Sequence, residues 1–163
     1  MRDNVAQAPA YMKQELFDDL SAFVRFDSNR VANLAIPDAD KAILAEVGLP
    51  RVAPNMLYFG ADHLDLLAPV AGVDHTAILG FNGYGDLLAL DLSHKGAVAA
   101  FNDDRRIAFM NDSVVGLASC LCAAAERIAD VDDFRAAVVV DAVASATGSW
   151  WLRPYEMAAV KQS

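Results

Sequence analysis

The residues best suited to chemistry in this chain fall into a few small groups. Gly80, Gly83 and Gly85 sit beside an apolar run in "GFNGYGDLLALDL", the setting of many phosphate-binding loops. Asp62, His63 and Asp65 crowd into "ADHLD", a donor set for a hard or borderline metal. Cys120 and Cys122 stand one residue apart, and "NDDRR" (102–106) packs its charges into a single turn. Each group also has a plain structural use, and spacing decides between the two.

The glycines read G-x-x-G-x-G, the reverse of the dinucleotide fingerprint, and a strand-like run follows them rather than a helix. A phosphate loop works by delivering its ligand to a helix N-terminus, where free N–H groups and the dipole meet the anion. Asp86 would also repel a phosphate. The stretch suits a hairpin, in which "NGYG" supplies residues that tolerate positive φ. The cysteines fall roughly 200° apart around a helix, so they point to opposite faces and share no metal. Buried, inert thiols are expected. Asp62, His63 and Asp65 fit a solvated loop beside Leu66 and Leu67, and "NDDRR" fits internal pairing on an exposed turn. No G-x-S-x-G elbow is present, and no acid, base and oxyanion hole assemble. The expectation is a binding protein, not an enzyme, with no metal and no cofactor. The rival is a small-molecule-binding protein or enzyme built on the glycine loop and the Asp62–His63–Asp65 cluster. A regulatory protein-interaction module is a third reading.

Regular elements must position these residues. From Pro9 to Val24, the apolar residues Leu16, Phe17, Leu20, Phe23 and Val24 recur at helical spacing. "LAIPDADKAILAEVGLP" predicts a helix capped by Asp38 and ended by Gly48 and Pro50. Strand-like runs follow at 56–59, 76–81, 86–92, 97–101 and 107–110. The last four are joined by links too short for a parallel crossover, so the centre is an antiparallel meander. Helical spacing returns with "NDSVVGLASCLCAAAERIA", where Asn111, Asp112 and Ser113 are N-cap candidates. "DVDDFRAAVVVDAVASATG" reads as a further helix, although Val138–Val140 also suits a strand, and a short helix is expected after Pro154. Of Trp150 and Trp151, one is expected to pack inward. Helices, then strands, then helices make an α+β fold: a central, mostly antiparallel sheet flanked by N- and C-terminal helices, as one domain over residues 1–163.

The chain has 163 residues and is 55% hydrophobic, enough for a substantial core. A net charge of -9 disfavours nucleic-acid binding and is compatible with a basic partner, though acidity also serves solubility. With no apolar signal core, no span for a bilayer and only two cysteines, a cytoplasmic protein with no membrane partner is expected.

In order and spacing, the segments 34–60, 85–92, 94–102 and 109–125 resemble the SUKH superfamily, particularly its bacterial immunity-protein members. The resemblance spans roughly residues 15–130, and Tyr84 stands where the family often has a small or acidic residue. It implies the α+β architecture above and binding to a cognate toxin domain, often a nuclease or deaminase, without catalysis. On that reading the candidate partner contacts are Tyr84 as an aromatic anchor and the carboxylates Asp86, Asp91, Asp103 and Asp104, taken as exposed. Asp91 also suits a turn-capping role.

Overall fold

In a computed structural model that describes residues 23–139, 141–146, 149–155 and 157, the centre is a six-stranded antiparallel meander. Its strands run in chain order: β3 (Val52–Ala53), β4 (Leu57–Phe59), β5 (Thr76–Asn82), β6 (Leu87–Asp91), β7 (Ala97–Asn102) and β8 (Arg105–Asn111). The meander follows from its links. β5 and β6 are joined by a four-residue turn and β7 and β8 by a two-residue turn, and such links only join antiparallel neighbours. The architecture is α+β, as expected.

The expected helix over Pro9–Val24 lies mostly outside the described residues. Its end is a strand: β1 (Phe23–Val24) pairs antiparallel with β2 (Leu49–Pro50) in a small second sheet. The helix at 38–47 forms in two pieces, α2 (Asp38–Ala42) and a wider π-type turn (Ile43–Val47), after the short α1 (Ser28–Ala32). Pro37, not Asp38, occupies the N-cap position of α2.

One face of the meander carries the main core. Leu57, Phe59, Leu79, Leu88, Leu90, Val98, Ala100 and Met110 project into it. Helix α3 (Val114–Ala125) covers β7 and β8, contributing Leu117 and Leu121, and Ser113 caps it by accepting from the Gly116 N–H at 2.9 Å. Cys120 and Cys122 are both buried here and form no disulfide, and burial pushes the pKa of the Cys120 thiol up. The single helix expected after Asp130 is two, α4 (Val131–Ala137) and α5 (Ala142–Ser145), followed by a 3-10 turn at Trp150–Leu152. Trp151 is buried among the core residues, and Trp150 is half-buried against it. The short helix expected after Pro154 lies mostly outside the described residues.

The other face of the sheet has a smaller cover. Val70, Ile78, Ala89, Ala99 and Phe101 form a second cluster under the 61–75 segment. That segment is tied to the edge of β5: Leu67 donates to the Ile78 carbonyl at 2.8 Å, and Ile78 donates to Ala68 at 2.9 Å. β5 bulges between Ile78 and Gly80. At Gly80 the neighbouring strand passes so close that a Cβ would lie 2.1 Å from the Tyr58 carbonyl oxygen.

Asp40 links α2 to α3. Its Oδ1 accepts from the Val115 N–H at 3.0 Å, while Oδ2 is buried without a partner. Burial dominates over these N–H bonds, with nearby Asp112 adding to it, and the pKa rises to about 6. Between pH 4 and 6, about two units, the unfolded chain has therefore released a proton that the folded chain keeps. Stability contributed here is largest at the acid end of that window and falls as pH rises through it, by on the order of 3 kcal/mol. Buried Asp141, whose pKa is also raised, tilts the same way. We expect thermal unfolding scanned from pH 4 to 7 to show this fall and Asp40→Asn to flatten much of it. Parallel curves for the two proteins would refute it.

Candidate functional site: the hairpin-tip end of the sheet

Register alone brings one residue from each strand of the meander into a single rung: Val52, Tyr58, Phe81, Leu87, Phe101 and Arg106. Directly paired side chains share a face of the sheet, and Leu87 and Phe101 put this rung on the face opposite the helices. Tyr58 and Phe81 stack with centroids 5.0 Å apart, and His63 tilts onto Phe81 at 5.5 Å. Phe101 is buried, Tyr58, Phe81 and Leu87 are half-buried, and Val52 is exposed. The sheet thus presents a partly open apolar row.

The row ends at two turns. Because Leu87 pairs with Phe101, the β5–β6 and β7–β8 turns sit side by side at one end of the sheet. The first is the opening glycine loop, and it is a hairpin. Asn82 Oδ1 accepts from the N–H groups of Tyr84 at 2.9 Å and Asp86 at 3.0 Å, and the Gly85 N–H closes onto the Asn82 carbonyl at 3.0 Å. Tyr84 points outward at 78% exposure, near exposed Met56, which packs on Gly83. The second turn holds Asp103 with φ +52 and Asp104, both exposed. Between the turns and the 70–72 stretch lies a cleft of about 600 Å³ lined by Val70, Ala71, Gly85, Leu87, Phe101, Asp103 and Asp104.

The five candidate contacts therefore divide. Tyr84, Asp103 and Asp104 come together on the surface. Asp86 and Asp91 do not share that exposure: they are 9% and 7% exposed. Asp86 accepts from Asn82 Nδ2 at 3.1 Å and Asn102 Nδ2 at 3.0 Å, so it stitches the two turns together from beneath. Asp91 caps the 3-10 turn Leu92–His94 through the Ser93 N–H, and it also holds Arg106 at 3.0 Å and His94 at 3.1 Å. Burial alone would raise its pKa, but the bonds from His94, Arg106 and Ser93 prevail and hold it below the usual range. The exposure expected of these two carboxylates is corrected: each is spent on internal hydrogen bonds.

"NDDRR" is corrected too. Arg106 turns away to Asp91 and stacks over Phe109 at 4.0 Å, and Asp103 and Asp104 have no ion pair among the described residues. In the 62–65 stretch, Asp65 lies 3.6 Å from Arg30, and no group of His, Cys, Asp or Glu able to hold a metal occurs among the described residues.

A buried polar network, not anticipated from the sequence, supports this frame from behind. Asp141 accepts from Asn111 Nδ2 at 3.0 Å, from the Asp112 N–H at 3.1 Å and from the Ala144 N–H at 2.9 Å. Trp151 Nε1 donates to Asn111 Oδ1 at 3.0 Å. Asn111 is thus the last strand residue and the hub of the network, while Ser113 caps the helix.

Meander, one-sided helical cover and paired turns define an α+β fold with a partly open apolar row on the sheet face away from the helices. Residues 13–147 match the family model for the SUKH-4 immunity protein, and the chain belongs to that family. Its role is that of an immunity protein, which binds a cognate toxin. No curated protein and no solved structure matches the chain. Among the described residues, no helix is long and apolar enough to cross a membrane.

Proposed function

We propose that this immunity protein neutralises a toxin acting on nucleic acid, of nuclease or deaminase type, by covering its substrate-binding face with the hairpin-tip end of the sheet. One observation carries this reading: Tyr84, Asp103 and Asp104 stand together at the surface, with both carboxylates unpaired among the described residues. An enzyme that holds a phosphate backbone needs a basic face. An acidic protein of net charge -9 is steered to such a face, and exposed carboxylates at its contact end set the orientation. Tyr84, on the neighbouring turn, supplies a large, rigid anchor. Binding occludes the toxin in the cytoplasm and asks no catalysis of this chain.

The test is co-expression with the cognate toxin domain, followed by binding kinetics. Growth should be rescued and a complex should survive gel filtration. Asp103→Lys with Asp104→Lys should slow association about tenfold and flatten its salt dependence. Tyr84→Ala should speed dissociation, at a cost of about 2 kcal/mol. Cell death despite soluble protein and no complex would overturn the reading. A neutralised toxin that does not act on nucleic acid would overturn its nuclease or deaminase part.

A further inference from the structure

From the cleft between the two turns we infer a receptor for one basic side chain, a lysine or arginine projecting from the toxin. This rests on the immunity reading and adds the chemistry of the contact. The cleft has walls of two kinds. Val70, Leu87 and Phe101 are apolar, and Leu87 and Phe101 belong to the cross-sheet rung. Asp103 and Asp104 put two carboxylates at the same opening. Long basic side chains have this composition in reverse, an aliphatic stem that prefers apolar walls and a cationic head that prefers carboxylates. The protein withholds its own cations. Arg106 is committed to Asp91 and the Phe109 ring, and neither Arg105 nor Arg106 lines the cleft. Asp86 ties the turns together beneath, through Asn82 and Asn102, so the walls are held apart before a partner arrives. On the far side, Gly72 brings the 61–75 segment against Asp104, where an added Cβ would lie 3.1 Å from the aspartate Cβ.

A double-mutant cycle tests this with the full chain and a catalytically inactive form of the cognate toxin domain. Asp103→Asn with Asp104→Asn should weaken binding about tenfold or more. Asp38→Asn with Glu46→Gln, the same charge change at exposed positions elsewhere, should weaken it less than about twofold. Replacing each toxin lysine and arginine by methionine in turn should find one whose loss matters in the wild type and adds nothing in the Asp103/Asp104 variant. Ala71→Arg, which supplies a cation to the cleft from its own rim, should mimic the loss. If wild type binds and the Asp103/Asp104 variant binds equally well, the cleft inference fails while the immunity reading stands. The same holds if losses simply track total charge. If wild type does not bind that toxin at all, both fall together.

Discussion

Asp141→Ala should lower the free energy of unfolding by about 3–5 kcal/mol, since each buried donor left without its acceptor costs about 1–3 kcal/mol. Three groups lose their acceptor at once: the Asn111 side-chain amide and the N–H groups of Asp112 and Ala144. The carboxylate also fills space against α3, because a Cβ at Gly116 would fall 1.8 Å from Asp141 Oδ2. Removing it opens a void there as well as orphaning donors. Asp141→Asn keeps the shape and one acceptor oxygen and should cost clearly less. Urea denaturation would show the midpoint falling with little change in slope. Because the affected groups lie behind the sheet, toxin binding measured where the variant remains folded should be near wild type. An Asp141→Ala midpoint within error of wild type would refute the network's role.

Gly80→Val should be worse still, costing more than about 4 kcal/mol or preventing folding. The atoms a side chain would meet are backbone, the Tyr58 carbonyl at 2.1 Å and the Phe59 Cα at 2.9 Å, and backbone cannot rotate aside. The β4–β5 pairing would have to open, and the Tyr58–Phe81 stack would go with it. The two companion glycines provide the contrast. A Cβ at Gly83 meets the Met56 side chain, with Sδ at 2.9 Å free to swing away but Cβ at 2.8 Å moving only with its backbone, so Gly83→Ala should cost about 1–2 kcal/mol. Gly85 has open space around it but a φ of +85, so Gly85→Ala should cost about 1–2 kcal/mol through strain alone. In thermal melts both of these variants should lie well above Gly80→Val. A Gly80→Val protein as stable as Gly83→Ala would mean that β4 does not sit where it is placed.

Much of the sheet was legible because its signals are local. Apolar and β-branched runs with short polar links marked β5 to β8 to within about two residues, and the glycine spacing already spoke for a hairpin. The pieces that escaped depend on distant partners. Phe23–Val24 has helical spacing in the sequence and becomes a strand only because Leu49–Pro50 lies alongside. Asp86 and Asp91 were taken as exposed because isolated aspartates usually are. Burial came from Asn82, Asn102 and Arg106, the last two more than ten positions away. A faint signal did exist for Asp141: a lone carboxylate inside "AAVVVDAVASA" has to be either a break in the chain's path or a buried acceptor, and here it is both.

The separation of turns from core bears on how such a protein changes over generations. Tyr84, Asp103 and Asp104 project from the frame with no hydrogen bond or ion pair of their side chains among the described residues. Mutations there escape the stability threshold that purges most substitutions in a packed core. The main restraint is conformational: Asp103 at φ +52 and Gly85 at φ +85 favour asparagine, aspartate and glycine. Beneath them Asn82, Asp86 and Asn102 hold the turns in place whatever the tips carry. On the contact proposed above, a lineage facing an altered toxin can rewrite its tips one residue at a time, while selection on foldability leaves the scaffold unchanged.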